Sequence, residues 1–162
     1  MRVRGYRAKW VQLARANAAA SLEAQIKDKQ NIKARLIELQ KVLALDNDIL
    51  RLECFDISHT SGEGTMGSCV VFDDGGAVKS DYRRFNIVDL QPGDDYGAME
   101  QVLNRRFSRL SKEGGKIPDI LMVDGGKGQL SQATKILQKF QLPEVFLLGI
   151  AKGVSRRAGQ ET

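Results

Sequence analysis

The feature that most restricts the fold is a change in the spacing of apolar residues near residue 46. From Tyr6 to Leu45 the chain contains neither Pro nor Gly, and its apolar residues recur at spacings of mostly three or four. With one slip in the spacing near Asp28–Asn31, this pattern predicts either one long helix, with or without a kink there, or two helices in tandem. Beyond Asp46, apolar residues alternate with polar ones, which predicts strands instead.

The remainder of the chain combines strands and helices. A meander is predicted first, with the strands Leu50–Ile57, Thr65–Asp73 and Val78–Ile87, the polar loop Ser58–Gly64 and an Asp-Gly hairpin signal at Asp74-Gly75. A helix beginning at Asp94-Asp95 follows, then the strand Ile120–Val123, the helix Leu130–Phe140 and the strand Val145–Ile150. Together these elements predict an α/β fold. Its mixed sheet joins a three-stranded antiparallel meander to β-α-β strands, with flanking helices.

Charge divides the chain at the same place. The net charge is +5, but residues 1–45 hold ten Lys or Arg against three Asp or Glu, whereas residues 46–162 hold fifteen against seventeen. The positive excess on the first quarter favours a polyanionic partner, although a solvated basic helix would give the same count.

Composition excludes several classes of protein. No run approaches the roughly 18 apolar residues of a membrane span, and no signal peptide is visible, so we expect a cytoplasmic protein. One His and two Cys are too few for a zinc finger. Both cysteines, Cys54 and Cys69, lie in apolar runs and are expected to be reduced core thiols.

Two aspartates end predicted strands. Asp56 lies near the end of the first strand on the same side as Cys54, where an unpaired carboxylate is costly unless it meets a cation. Asp124 follows a buried strand, at the sheet edge where ligands gather in α/β proteins. If the two strands are neighbours, both carboxylates reach one crevice and offer the oxygen ligands that Mg²⁺ or Mn²⁺ prefers. In the alternative, Asp56 caps a loop and Asp124 makes a turn.

Three further positions carry possible chemistry. Asp95 could supply a third carboxylate, although Asp94-Asp95 also fits the start of a helix. His59, in the predicted loop, could be a ligand, a general base or an exposed loop residue. Lys127, in the glycine-rich run after Asp124, could bring its charge and backbone N–H groups to a phosphate. That run lacks the spacing of a nucleotide-binding loop.

Four segments in order resemble one family. They are Phe55–Thr60, Ser80–Ile87, Gly93–Tyr96 and Asp124–Leu130. With the Arg- and Ala-rich helix before them, they resemble the C-terminal nuclease half of the bacterial excinuclease UvrC. The resemblance implies an RNase H-like endonuclease domain that makes the 5′ incision beside damaged double-stranded DNA in nucleotide excision repair. It also implies a divalent metal and action after UvrB has marked the lesion.

The resemblance assigns roles to individual residues. Asp56 and Asp124 match catalytic, metal-binding carboxylates, and Asp95 matches a further acidic catalytic position. The basic residues that we expect to hold DNA phosphates are Lys127, Arg83 and Arg84. The N-terminal helix either adds salt-sensitive DNA affinity or only braces the domain.

The family pattern also leads us to expect that this chain is a fragment of a longer protein. In the family a histidine on a later segment, beyond Thr162, completes the site, and the GIY-YIG, UvrB-binding and helix-hairpin-helix parts are missing here. We therefore expect a basic helical segment over residues 1–46 and a C-terminally truncated endonuclease domain over residues 47–162. Such a fragment would be inactive or weak alone. The alternative is a non-catalytic DNA- or partner-binding fragment.

Overall fold

The first element is a single long helix. In a computed structural model of the protein, which describes residues 6–60, 64–91 and 93–150, this helix is α1 (Tyr6–Val42). Of the two predictions, one long helix is therefore confirmed. The apolar residues of α1 do not gather on one face, and none of its residues is buried. Its alanines and long unbranched side chains explain the helical preference without a packed stripe.

Within the described residues, the second part of the chain is built on a six-stranded mixed sheet. Its strands are β1 (Arg51–Thr60), β2 (Gly64–Asp73), β3 (Gly76–Ala77), β4 (Arg83–Asn86), β5 (Ile120–Asp124) and β6 (Phe146–Ile150). They lie in the order β3-β2-β1-β5-β6, and β4 also pairs with β2. Because β1 is antiparallel to β2 but parallel to β5, and β5 is parallel to β6, the predicted mixed sheet is confirmed.

Two parts of the meander differ from the prediction. The third strand is not continuous over Val78–Ile87, because a 3₁₀ turn, Lys79–Asp81, separates β3 from β4. Local hydrogen bonds close this turn, and they place Asp81 where it pairs with Arg51. In addition, β1 runs through to Thr60, since Ser58 and the residues after it still pair with β2.

Two helices cover one face of the sheet. They are α2 (Asp95–Glu113), whose N-cap Asp94 accepts a hydrogen bond from the Gly97 N–H at 2.9 Å, and α3 (Lys127–Lys139). The helix-start interpretation of Asp94 is therefore confirmed. The core lies between these helices and the sheet and includes Phe55, Val71, Leu103, Phe107, Leu121 and Val123. On the opposite face, Cys54 and Met122 are half-buried.

The chain separates into two compact units. One is Met1–Asp48 with Asp74–Gly76, and the other is Ile49–Asp73 with Ala77–Thr162. The second unit carries both helices of the core and every aspartate expected to act in catalysis. No helix in the described part of the chain combines the length and the apolar character that crossing a membrane requires.

Candidate active site

The carboxyl ends of β1 and β5 lie side by side. Their parallel pairing joins Phe55 to Val123, and one further step along both strands reaches Asp56 and Asp124. Side chains of paired residues leave a sheet on the same face. The two carboxylates therefore lie on the face opposite to the fully buried Phe55 and Val123, and both aspartates are half-buried. The two strands are thus neighbours, the condition on which the predicted two-carboxylate site depends.

The thiol of Cys54 responds to both carboxylates. Cys54 lies two residues before Asp56 and so on the same face of β1. Burial raises the pKa of this thiol, and the negative charges of Asp124 and Asp56 raise it further. Both carboxylates therefore lie close enough to Cys54 to raise the pKa of its thiol.

No cation among the described residues neutralises this pair. Asp56 Oδ2 accepts a hydrogen bond from Ser58 Oγ at 2.7 Å. Within residues 6–60, 64–91 and 93–150, neither Asp56 nor Asp124 forms an ion pair. The same ranges contain no group of three or more His, Cys, Asp or Glu side chains that could hold a metal ion. Two carboxylates still fit Mg²⁺, which completes its coordination with water and substrate phosphate oxygens.

Asp95 lies in the first turn of α2 and is bonded to β1. Its Oδ1 is 2.6 Å from His59 Nε2, and His59 Nδ1 is 3.0 Å from Thr65 Oγ1. His59 is thus held at both ring nitrogens within a strand, and the prediction that it lies in a loop is wrong. The structure joins Asp95 to this histidine rather than to the two strand-end aspartates in a group of three.

Two bulky side chains cover glycines of the Asp124–Leu130 segment. The ring of Tyr96 lies over Gly128, and the side chain of Gln129 lies over Gly125, so that a Cβ on either glycine would overlap with it. Periodicity does not point to Tyr96 or Gln129. The available signal is the glycines themselves, since a glycine often marks a close approach between chain segments.

The predicted DNA-binding residues lie in two places. Lys127 is exposed at the first position of α3, three residues after Asp124, and the N-cap Gly126 has no side chain that could cap the first turn. Arg83 and Arg84 instead line a cavity of about 520 Å³, and neither Lys127 nor the two strand-end aspartates line it. Lys127 therefore lies outside the cavity that Arg83 and Arg84 line.

The amino-acid sequence matches a known family over most of its length. A family model described as the UvrC RNase H endonuclease domain matches residues 40–162. The chain belongs to this family. UvrABC system protein C of Pseudomonas syringae pv. syringae is 55% identical to it over 161 residues, and that of Pseudomonas fluorescens strain Pf0-1 is 56% identical over 161 residues. Each alignment covers 99% of this chain but 26% of the relative, so the chain spans about a quarter of the length of these relatives.

The solved structures that partly superpose on this chain include two of endonuclease V. Human endonuclease V is 18% identical, with a TM-score of 0.45 over 86% of this chain and 63% of that chain. Ciona intestinalis endonuclease V, in complex with a 24mer DNA containing an inosine followed by a ribo-adenosine, is 14% identical. Its TM-score is 0.47, over 67% of this chain and 48% of that chain.

Membership of the UvrC RNase H family confirms the resemblance and the RNase H-like fold class. The catalytic roles of Asp56, Asp124 and Asp95 remain predictions, as does the domain boundary at residues 46 and 47. So do the DNA contacts of the three basic residues.

Glu53 is a carboxylate that no sequence pattern singles out. It lies on the helix-covered face of the sheet. It is completely buried and accepts hydrogen bonds from Arg51 Nε at 2.9 Å and from Arg106 Nε and Nη2 at 2.9 and 2.7 Å. Arg51 also donates to Asp81 at 2.7 Å. These residues lie far apart in the sequence, so local periodicity does not reveal the network.

Proposed function

We propose that this chain is a metal-dependent DNA endonuclease domain that makes the 5′ incision beside lesions in nucleotide excision repair. The observation that most supports the proposal is the register of β1 and β5, which brings Asp56 and Asp124 to the same level on one face. Two adjacent carboxylates without a counter-ion among the described residues favour an external cation.

Asp56 and Asp124 would hold Mg²⁺ or Mn²⁺. Their oxygens are the hard ligands that these cations prefer. Cys54 lies on the same face, but a soft thiolate is not a ligand that these hard cations prefer. A cation held there would activate a water molecule and stabilise the leaving oxygen of a phosphodiester.

The remaining predicted residues would position the DNA. Lys127 and the amino end of α3 would hold a phosphate beside the carboxylates, because positive charge and free N–H groups meet there. Asp95, as the third acidic residue, would act through His59, whose ring it fixes. Arg83 and Arg84 would hold phosphates farther along the same DNA.

The proposed substrate is damaged double-stranded DNA. The full-length relatives are named UvrABC system protein C, and action in the cytoplasm on DNA marked by UvrB fits that name. Contact with UvrB would involve parts of the relatives outside this chain.

The test is Asp124→Asn in a full-length UvrABC system protein C that carries this sequence. The rate of 5′ incision should fall by about a thousandfold or more, because several kcal/mol of transition-state stabilisation are lost, while DNA binding is kept. Asp89→Asn is a matched control, since Asp89 is an exposed loop aspartate outside the site, and it should incise normally. An unchanged incision rate in Asp124→Asn would refute the proposal.

A second experiment addresses the non-catalytic alternative. The 162-residue chain is incubated with supercoiled plasmid and Mn²⁺. Nicking that disappears in Asp124→Asn would exclude a purely binding role.

A further inference from the structure

A second concave surface, distinct from the strand-end carboxylates, is strongly basic. This surface, here called the arginine groove, is a cavity of about 520 Å³ between β4, the start of β1 and the second half of α2. Its basic lining residues are Arg51, Arg83, Arg84, Arg105, Arg106, Arg109 and Lys116. The acidic side chains that line it are Asp81 and Glu113.

The floor of the groove is neutralised from within. The buried Glu53 binds Arg51 and Arg106, and Arg51 also binds Asp81. The hydrogen bond from Arg51 is the main reason why the pKa of Asp81 is lowered. At the rim, Arg109 pairs with Glu113 at 2.7 Å. Three of the seven basic residues, Arg51, Arg106 and Arg109, are therefore members of ion pairs.

The other four basic residues form no ion pair among the described residues, although the charge of Arg83 contributes to the lowered pKa of Asp81. Arg83 Nη1 donates to the carbonyls of Ser80 and Tyr82 at 2.8 and 2.7 Å. Arg105 Nη1 donates to the carbonyl of Asn86 at 2.6 Å, and its guanidinium lies 5.9 Å from the centre of the Phe85 ring. The remaining two members are Arg84 and Lys116, both exposed.

These contacts position the cations without neutralising them. A guanidinium has five N–H donors, so Arg83 and Arg105 keep donors for an external acceptor after bonding to main-chain carbonyls. Two of the four groups are therefore pre-oriented, and less side-chain entropy is lost when an anion binds. Four positive charges without an ion pair around one groove favour a ligand with several negative charges.

The phosphate backbone of nucleic acid fits this groove better than an acidic peptide does. Guanidinium forks match phosphate oxygens bidentately, and Phe85 and Leu110 are the apolar side chains of the lining, few for anchoring a peptide. Arg84 on β4 pairs with Ser68 on β2, and Ser68 pairs with Asp56 on β1, so two strand spacings, about 10 Å, separate Arg84 from Asp56 along the sheet. One duplex covers that distance in about three base pairs.

We propose that the arginine groove holds the phosphate backbone of the same DNA that is cut at Asp56 and Asp124, and that it does so without divalent metal. This inference rests on the proposed function for the identity of the DNA. It adds a second contact beside β4, in which Arg105 and Lys116 act together with the predicted Arg83 and Arg84.

The test measures binding of the 162-residue chain to a fluorescein-labelled, undamaged duplex in EDTA at several salt concentrations. The groove variant is Arg84→Gln with Lys116→Gln, two exposed residues without carboxylate partners in the described part of the chain. It should bind roughly 10- to 100-fold more weakly at about 0.1 M salt. The slope of log K against log salt should fall by about two, one for each lost phosphate contact.

The control variant is Lys112→Gln with Lys135→Gln, which removes the same charge from exposed positions outside the groove. It should keep the salt slope of the unmodified chain, and thermal unfolding should confirm that both variants are folded. Equal losses in the two variants, or no loss in either, would overturn the inference. Tighter, groove-dependent binding of poly-glutamate than of DNA would also overturn it, in favour of an acidic peptide.

Failure of the groove and failure of the nuclease proposal give different results. Asp124→Asn should bind DNA in EDTA as well as the unmodified chain, since the groove does not involve the metal site. If Asp124→Asn incises normally but the groove variant loses its salt slope, only the catalytic assignment fails. If incision is lost as expected but the groove and control variants bind alike, only the groove fails.

Discussion

Two carboxylates three residues apart on β1 have opposite surroundings. Glu53 is completely buried and receives three hydrogen bonds from two arginines. Asp56 is half-buried, receives a hydrogen bond from a serine hydroxyl and lies beside a second carboxylate, Asp124. Burying a charge is tolerated only when partners compensate it. The comparison shows that the satisfied carboxylate belongs to the structure, whereas the unsatisfied one is free to bind a ligand.

The largest loss of stability is expected when a partner of Glu53 is removed. Arg106→Met should lower the free energy of unfolding by about 3 to 5 kcal/mol, because it leaves a buried charge uncompensated. Urea unfolding measures the change. Arg109→Met removes an exposed helix pair instead and should cost about 0.5 kcal/mol or less. Similar costs for the two variants would mean that the buried network has no special importance.

A second change tests whether packing, rather than charge, shapes the region after Asp124. Gly125→Ala should cost about 1 to 3 kcal/mol, because the added methyl group overlaps with the buried Gln129. Gln129→Ala in the same chain should recover most of that loss. Gly126→Ala is the control, since its Cβ would meet open space. If Gly125→Ala and Gly126→Ala unfold alike in urea, the close approach of Gln129 is not tight.

The variant Asp56→Asn tests whether the other carboxylate of β1 contributes to stability. It should change the free energy of unfolding by no more than about 0.5 kcal/mol, since Asp56 has no ion pair to lose among the described residues and stands next to a like charge. Thermal and urea unfolding of the variant provide the measurement. A large destabilisation would show that Asp56 has a structural role like that of Glu53.

The smallest expected effect concerns the thiol of Cys54. Removing the negative charge in Asp124→Asn should lower the pKa of Cys54 and so increase its alkylation by iodoacetamide at mildly alkaline pH, about two- to tenfold. Mass spectrometry resolves the two cysteines. Cys69, whose pKa is raised to about 12 mainly by burial, should stay unreactive and serves as the internal control. An unchanged Cys54 rate would place Asp124 too far away to act on it.

Part of the site could be predicted from local sequence. Asp56 and Asp124 each end an apolar stretch, and the order of strands and helices favours a mixed sheet in which such ends meet. The family segments narrow the choice further. The missing information is long-range, because contacts such as Glu53 with Arg106 join residues 53 positions apart. Alternation suggests that Glu53 faces solvent, whereas the helices cover that face.

Local pattern fails in the same way at His59 and in the third strand. The polar residues after Ile57 resemble a loop, but pairing with β2 extends β1 to Thr60. Val78–Ile87 resembles one strand, but the ion pair between Arg51 and Asp81 accompanies a turn within it. In both places a tertiary contact decides the local structure.

The most direct test of the central claim is an anomalous-difference map from crystals of this chain soaked in Mn²⁺. We predict a peak between the carboxylates of Asp56 and Asp124, and none at Glu53, whose charge is already compensated. Carboxylates that point into separate environments, or a Mn²⁺ peak elsewhere with none between the two aspartates, would contradict the proposed metal site.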